Sequence, residues 1–218
     1  MNAHCDIAII GGGPVGNALM LALRDSGLQI VMLEARTIEN VSADPRALAL
    51  SSGSRQLLER LGVWEGITQV SLIKTIHVSQ KNSFGRTLLR AEELKVSELG
   101  YVLPYTALQN ALQSASKGST TTCLTANGAS INYHHAGQDH QLEARLAVVA
   151  DGGKLLEATH PPEIRDYGQS AIIAHVTCTH PQPDTAFERF TMQGPLALLP
   201  FRDGYELVWT ATHEMAQE

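Results

Sequence analysis

Six residues, Gly11-Gly12-Gly13-Pro14-Val15-Gly16, constrain this chain more than any other segment because of what flanks them. Ahead of them Asp6-Ile7-Ala8-Ile9-Ile10 is a short apolar run of the kind that forms a strand buried on both faces of a parallel sheet. Behind them Ala18, Leu19, Ala22 and Leu23 recur at helical spacing through 15–25, and Gly27 stands where a helix C-terminus calls for a left-handed residue. A second apolar run, 29–33, ends at Glu34. The pattern predicts a βαβ opening with short connections and a right-handed crossover. In that setting G-x-G-x-x-G is a dinucleotide fingerprint: Gly11 permits the tight turn, Gly13 lets the backbone approach a diphosphate, and Gly16 lets helix and strand pack closely. The helix start, at Pro14 and Val15, offers N–H groups and a positive dipole end to the two phosphates. Glu34 falls where a carboxylate accepts hydrogen bonds from ribose hydroxyls, and an acid there repels a 2′-phosphate. The bland alternative is a glycine-rich turn that merely packs tightly beside a solvated strand end. Glycines, helix pattern, Gly27 and acid all falling at the expected offsets argue against it. Spacing does not choose between NAD and FAD, since both carry adenosine diphosphate.

Further along, 51–61 reads as an amphipathic helix through Leu57, Leu58 and Leu61, stopped by Gly62. The period changes over 73–89, where Ile76 and Val78 alternate with polar neighbours around a turn at 81–85, which predicts a hairpin. Helical spacing returns at 106–116. A strand pair follows, with Asn127-Gly128 and Ala136-Gly137 as turns, and leads into the apolar run 146–150, closed by Asp151-Gly152-Gly153. After Pro161-Pro162, short strands at 171–176, 187–191, 196–199 and 205–210 give an antiparallel texture. A parallel α/β part is thus interleaved with an antiparallel β part.

Composition narrows the partners. With 44% apolar and 17% charged residues the chain has the material for a sizeable core, and a formal charge of −6 lacks the basic excess that carries most nucleic-acid affinity, so nucleic acid is not an expected partner. No apolar run approaches the ~20 residues of a bilayer span, and the first residues lack the charged and apolar regions of a secretory signal, which points to a cytoplasmic protein. Cys5, Cys123 and Cys178 are widely spaced, which suits reduced thiols better than a disulfide framework. His134, His135 and His140 fall in an expected hairpin with no acid or cysteine completing a ligand set, so no metal is expected. Arg189, between Phe187 and Phe190, reads as a strand-edge charge. Ser51-Ser52-Gly53-Ser54 is not a nucleophile elbow, and no catalytic residue is assigned.

Four motifs in one order, the glycine loop, Glu34-Ala35-Arg36, Asp44-Pro45-Arg46-Ala47-Leu48-Ala49-Leu50 and Val148-Val149-Ala150-Asp151-Gly152, resemble those of the class A flavoprotein monooxygenases. Their fold is para-hydroxybenzoate hydroxylase-like. Tyr167-Gly168-Gln169, 186–191 and 194–200 are similar to the ubiquinone-biosynthesis hydroxylases within that class. The resemblance implies an α/β fold, a Rossmann-like FAD-binding domain at 1–72 and 104–160 interleaved with an antiparallel β substrate domain at 73–103 and 161–218. It implies that Gly11, Gly13, Pro14, Val15, Gly16 and Glu34 hold the ADP half of FAD, with Ala35 and Arg36 near the ribose and adenine. Arg46 would approach the flavin or diphosphate, Gln109 the ribityl chain, and Asp151-Gly152 both FAD and the electron donor NAD(P)H. The implied substrates are a prenylated phenol and molecular oxygen. Such a flavin takes hydride and forms a C4a-hydroperoxide with oxygen, so the protein has mainly to orient the phenol and exclude water.

The motifs depart from the family at Leu155 and Ala158, where a Ser and an Arg are usual. A third motif, a later Gly-Asp, does not occur in the 218 residues, and the resemblance implies members about twice this length. The sequence therefore looks like the amino-terminal half of such an enzyme, with little turnover expected from 1–218 alone. Self-association, other enzymes of the pathway and a peripheral site on the inner membrane remain open as partners. An NAD(P)-linked dehydrogenase on the same βαβ unit, or a non-catalytic assembly partner, are the alternative readings.

Overall fold

β1 (Ala3–Ile10) carries apolar side chains on both faces and is therefore at home only in the middle of a sheet. In a computed structural model describing residues 3–35, 44–116, 124–127, 130–135, 137–157 and 163–217, it lies between two parallel neighbours, β2 (Ile30–Leu33) and β10 (Gln138–Val149). Ala8, Ile10 and Leu33 are buried on one face, and Ile7, Ile9 and Met32 on the other, where Leu19, Met20 and Leu23 of α1 (Pro14–Leu23) pack on them. Two further strands, β8 (Leu124–Asn127) and β9 (Ser130–His135), extend the sheet antiparallel, giving the order β2-β1-β10-β9-β8. The expected strand pair before residue 146 is thus three strands, because β10 runs unbroken for twelve residues and pairs with β9 at its start and with β1 throughout most of its length.

The chain forms two compact units, Met1–Asp44 with Leu58–Gly66 and Leu108–Glu163, and Pro45–Leu57 with Ile67–Ala107 and Ile164–Glu218. Residues 45–57 and 67–72, grouped by sequence with the nucleotide-binding part, cluster in the second unit. The cause is pairing: β3 (Ala47–Ser51) and β4 (Ser71–Ile73) flank β7 (Gly100–Pro104), a wholly buried strand, in a three-stranded antiparallel sheet. The second sheet of this unit has six strands in the order β11-β14-β13-β12-β5-β6. It joins the hairpin of β5 (Thr75–Gln80) and β6 (Arg86–Arg90) to β12 (Thr185–Phe190), β13 (Pro195–Phe201), β14 (Gly204–Thr212) and β11 (Gln169–Val176). β5 and β12 run parallel, and Ile73, Val102, Ala186 and Phe201 form the core shared by the two sheets.

The remaining helices follow their sequence signals. α2 (Ser52–Arg60) ends as expected at Gly62, which has φ +73°; its N–H donates to Glu59 O at 2.9 Å and that of Val63 to Leu58 O at 2.9 Å, the paired bonds of a Schellman end. α1 stops earlier than expected, at Leu23 with Arg24 as its cap, so the left-handed Gly27 belongs to the following turn. α3 (Tyr105–Ser116) buries Leu108, Gln109 and Leu112.

Within the second unit, Arg55 donates to Glu98 Oε2 at 3.2 Å and to the Tyr101 hydroxyl at 2.6 Å, while Tyr101 donates to Glu98 at 2.9 Å and Ser97 adds a further short bond. The Ser97 hydroxyl foremost, then Tyr101 and Arg55, holds the Glu98 carboxyl below its ordinary range against the opposing effect of burial. A carboxylate stabilised in the native state contributes fully above its unfolded pKa, about 4.3, and the contribution is lost as pH falls through the lower native value. Urea midpoints measured from neutral pH downward should fall through that acid window in the parent, and Glu98→Gln should flatten that part of the slope.

Candidate functional site

In a parallel sheet the ligand crevice lies beyond the carboxyl ends of the strands. Here Ile10 is level with Leu33 on one side and Val149 on the other, so the residues that follow β1, β2 and β10 emerge together. Gly11 N–H donates to Leu33 O at 2.7 Å and Ala150 N–H to Ile10 O at 2.7 Å, which ties the three ends. Gly11 has φ +109°, and a Cβ on it would sit 2.5 Å from the Ala150 oxygen. A Cβ on Gly16 would land on the carbonyl oxygen of Gly11. At both of these positions in the loop only glycine fits.

α1 starts directly over this turn. Gly13 is its N-cap, in extended conformation with no side-chain cap, Pro14 follows as the first helical residue, and the first turn contains no acid. The N–H groups of a first turn have no partner within the helix, so this end faces the crevice with its dipole unneutralised by the helix's own side chains. Val15 projects outward, 71% exposed.

Glu34 is buried, 6% exposed, and its Oε2 accepts the Gly12 N–H at 2.7 Å. The acid expected for the ribose therefore lies against the glycine loop. Ala35 is exposed, and Arg36 lies outside the described residues. Gln109, reaching the loop from α3, is fully buried and donates Nε2 to the Gly12 oxygen at 2.6 Å, while its Oε1 is buried without a partner. Asp151 accepts Gly153 N–H at 2.8 Å and Leu155 N–H at 2.7 Å, one on each carboxylate oxygen, and so caps the short helix α4 (Lys154–Glu157); Gly152 has φ +81°. Gly11, Gly13, Pro14, Val15, Gly16, Glu34, Gln109, Asp151 and Gly152 all belong to the first unit. Arg46 belongs to the second, where its guanidinium lies 5.3 Å from the Tyr105 ring centre and its carbonyl accepts the Tyr105 N–H at 2.9 Å.

Sequence reasoning passed over Asn17. It is fully buried, donates Nδ2 to Gly12 O at 2.5 Å and Gly13 O at 3.1 Å, and accepts from Ser116 Oγ at 2.6 Å. The available signal was an amide four residues before Leu21, on the stripe of α1 where apolar residues belong.

Other polar groups stand apart. A cavity of about 650 Å³ lined by Cys5, Asp6, Gln29 and Arg145 opens toward the start of β1, the wrong end of the sheet for this crevice. His134 pairs with Asp139 at 2.8 Å, His140 stacks on Tyr133, and the exposed Arg189 reaches Ser79 at 3.5 Å. Among the described residues no helix is long and apolar enough to cross a membrane.

Known proteins resemble this chain in sequence and in fold. The model of a family described as FAD binding domain matches residues 4–182. The 3-demethoxyubiquinol 3-hydroxylase of Escherichia coli is 30% identical over 95% of this chain and 58% of its own length. A mitochondrial ubiquinone biosynthesis monooxygenase of Mus musculus is 26% identical over 98% of this chain and 51% of its own length. The chain thus spans about half the length of these relatives. A geranylgeranyl bacteriochlorophyll reductase-like protein of Thermoplasma acidophilum superposes with a TM-score of 0.76 at 18% identity, covering 99% of this chain and 58% of that one, a likeness of fold.

Gly16→Ala forces a methyl group into the Gly11 carbonyl and should destabilise the chain by about 1–3 kcal/mol, the range for overpacking. Urea unfolding, compared with Gly53→Ala, where a Cβ meets only the Ser51 hydroxyl at 3.7 Å, checks this.

Proposed function

The chain belongs to the FAD-binding domain family, and from that premise we propose that its first unit holds the adenosine diphosphate half of FAD for hydroxylation of a prenylated phenol in ubiquinone biosynthesis. The observation that carries the reading is the crevice itself: an uncapped helix start above two glycines that tolerate no Cβ, with the buried carboxylate of Glu34 beside it. The residues present fit the group. Gly11 and Gly16 let the chain's own backbone pack so closely that the start of α1 sits on the strand ends, and the orphaned Oε1 of Gln109 is an acceptor in want of a hydroxyl donor.

FAD, when bound, supplies the redox chemistry, taking hydride from NAD(P)H and passing electrons to molecular oxygen. The chain's part is to bind and orient. The first turn of α1, from Gly13 through Pro14, Val15 and Gly16, holds the diphosphate; Glu34 accepts from ribose hydroxyls, with Ala35 beside it. Gln109 orients a hydroxyl through Oε1, and Asp151 with Gly152 shapes the turn after β10 through the Gly153 and Leu155 N–H groups. None of these groups is a nucleophile, as suits a reaction whose bond-making belongs to the cofactor.

The substrate class rests on two lines. The motif set resembles the 2-octaprenyl-6-methoxyphenol hydroxylases, and one relative is named for hydroxylating demethoxyubiquinol. Both names describe a phenolic ring, and a prenyl tail partitions into lipid, which supports peripheral membrane attachment.

Titrating FAD into the purified chain should quench flavin fluorescence saturably, and Glu34→Ala should weaken binding about tenfold. A prenylated phenol should then perturb the bound flavin's absorption more than the same phenol without its tail. Tight NADH binding with no affinity for FAD would instead favour a dehydrogenase. Binding of neither, with stable complexes to other enzymes of the pathway, would favour a non-catalytic partner.

A further inference from the structure

Of the buried residues on α1, Gly16, Asn17 and Leu21, only Asn17 has a polar side chain. Sealing an amide from water is costly unless its polar atoms find partners, and here they do. Nδ2 donates to the carbonyl oxygens of Gly12 and Gly13, and Oδ1 accepts from Ser116 at the far end of α3. Because carbonyl oxygens only accept, the Asn17 amide can face the loop in one sense alone. Gln109, from the same helix as Ser116, places Nε2 on the same Gly12 oxygen. On its other side the Gly12 N–H is held by Glu34. Three elements thus converge on one glycine that has no side chain of its own.

The consequence lies one atom further on. A trans peptide points its C=O and the following N–H to opposite sides, so drawing the Gly12 oxygen inward turns the Gly13 N–H outward, at the uncapped start of α1. We propose that Asn17 and Gln109 are positioning residues that clamp the Gly12–Gly13 peptide with its N–H toward the dinucleotide's diphosphate, Ser116 holding the Asn17 amide in place. The clamp rests on the FAD reading for its ligand, but the peptide orientation it enforces exists without one. Gln109 Oε1 is buried without a hydrogen-bond partner, so among the described residues the one bond this amide makes is the one to Gly12.

Two measurements test it. In flavin-fluorescence titrations, Asn17→Ala should weaken FAD binding about tenfold and Ser116→Ala about threefold, with Ser116→Thr restoring the parent affinity. Flavin-free Ser116→Ala should melt below the parent, because Asn17 Oδ1 loses its donor; a merely structural hydroxyl would lower the melting temperature in the same way but leave the affinity of the folded chain unchanged. With no flavin present, the Gly13 amide resonance of the 15N-labelled chain should move in Asn17→Ala and Gln109→Met while amides of the second unit stay in place. Parent-like affinity in both alanine variants, or a Gly13 resonance indifferent to both clamp substitutions, overturns the proposal. A parent chain that binds no FAD, while Gly13 still responds, overturns the FAD reading and leaves the peptide clamp standing.

Discussion

α1 can begin where it does because nothing projects from Gly16 toward the carbonyl of Gly11. That single close approach sets the helix end directly on the end of β1, and the rest of the crevice inherits its position from there. Strand register then brings the ends of β2 and β10 alongside, so that Glu34 and the Asp151 turn arrive beside the glycines without any long loop having to carry them. The precision of the crevice comes from sheet pairing and one missing methyl group, both of which are stiff.

Its electrostatics follow the same economy. The first turn of α1 contains no acid and its cap has no side chain, which leaves the positive end of the helix for a bound anion. The two nearby carboxylates are differently employed. Asp151 spends both oxygens on amides of its own turn, ordering α4. Glu34, buried at the end of β2, is committed to the Gly12 N–H through Oε2. One acid shapes the turn after β10; the other shapes the loop after β1.

Much of this was legible because it is local. The βαβ opening, the α2 stop at Gly62, the β5–β6 hairpin and the late antiparallel strands all announce themselves through periodicity and turn residues a few positions apart. What escaped is long-range. β3, β4 and β7 were not separable as a sheet, since β7 is a bare five-residue apolar run whose two partners both lie some tens of residues earlier in the chain. The parallel join of β5 to β12 bridges more than a hundred residues and leaves no mark in either strand alone. Asn17 was missed for a different reason: an asparagine in a helix reads as surface unless its place on the apolar stripe with Leu21 is weighed, and its bonds to the glycine loop and to Ser116 show that it faces inward.

The pairing of β1 with β10 has a bearing on how the protein is made. Ala3 is level with Leu142 and Ile10 with Val149, so β1 must wait for roughly 140 residues of further synthesis before this neighbour exists. At ordinary elongation rates of about 5–20 residues per second, that is many seconds in which a strongly apolar edge is open to wrong partners. A nascent chain of this kind is a natural client for chaperones, and the crevice cannot assemble before β10 has arrived.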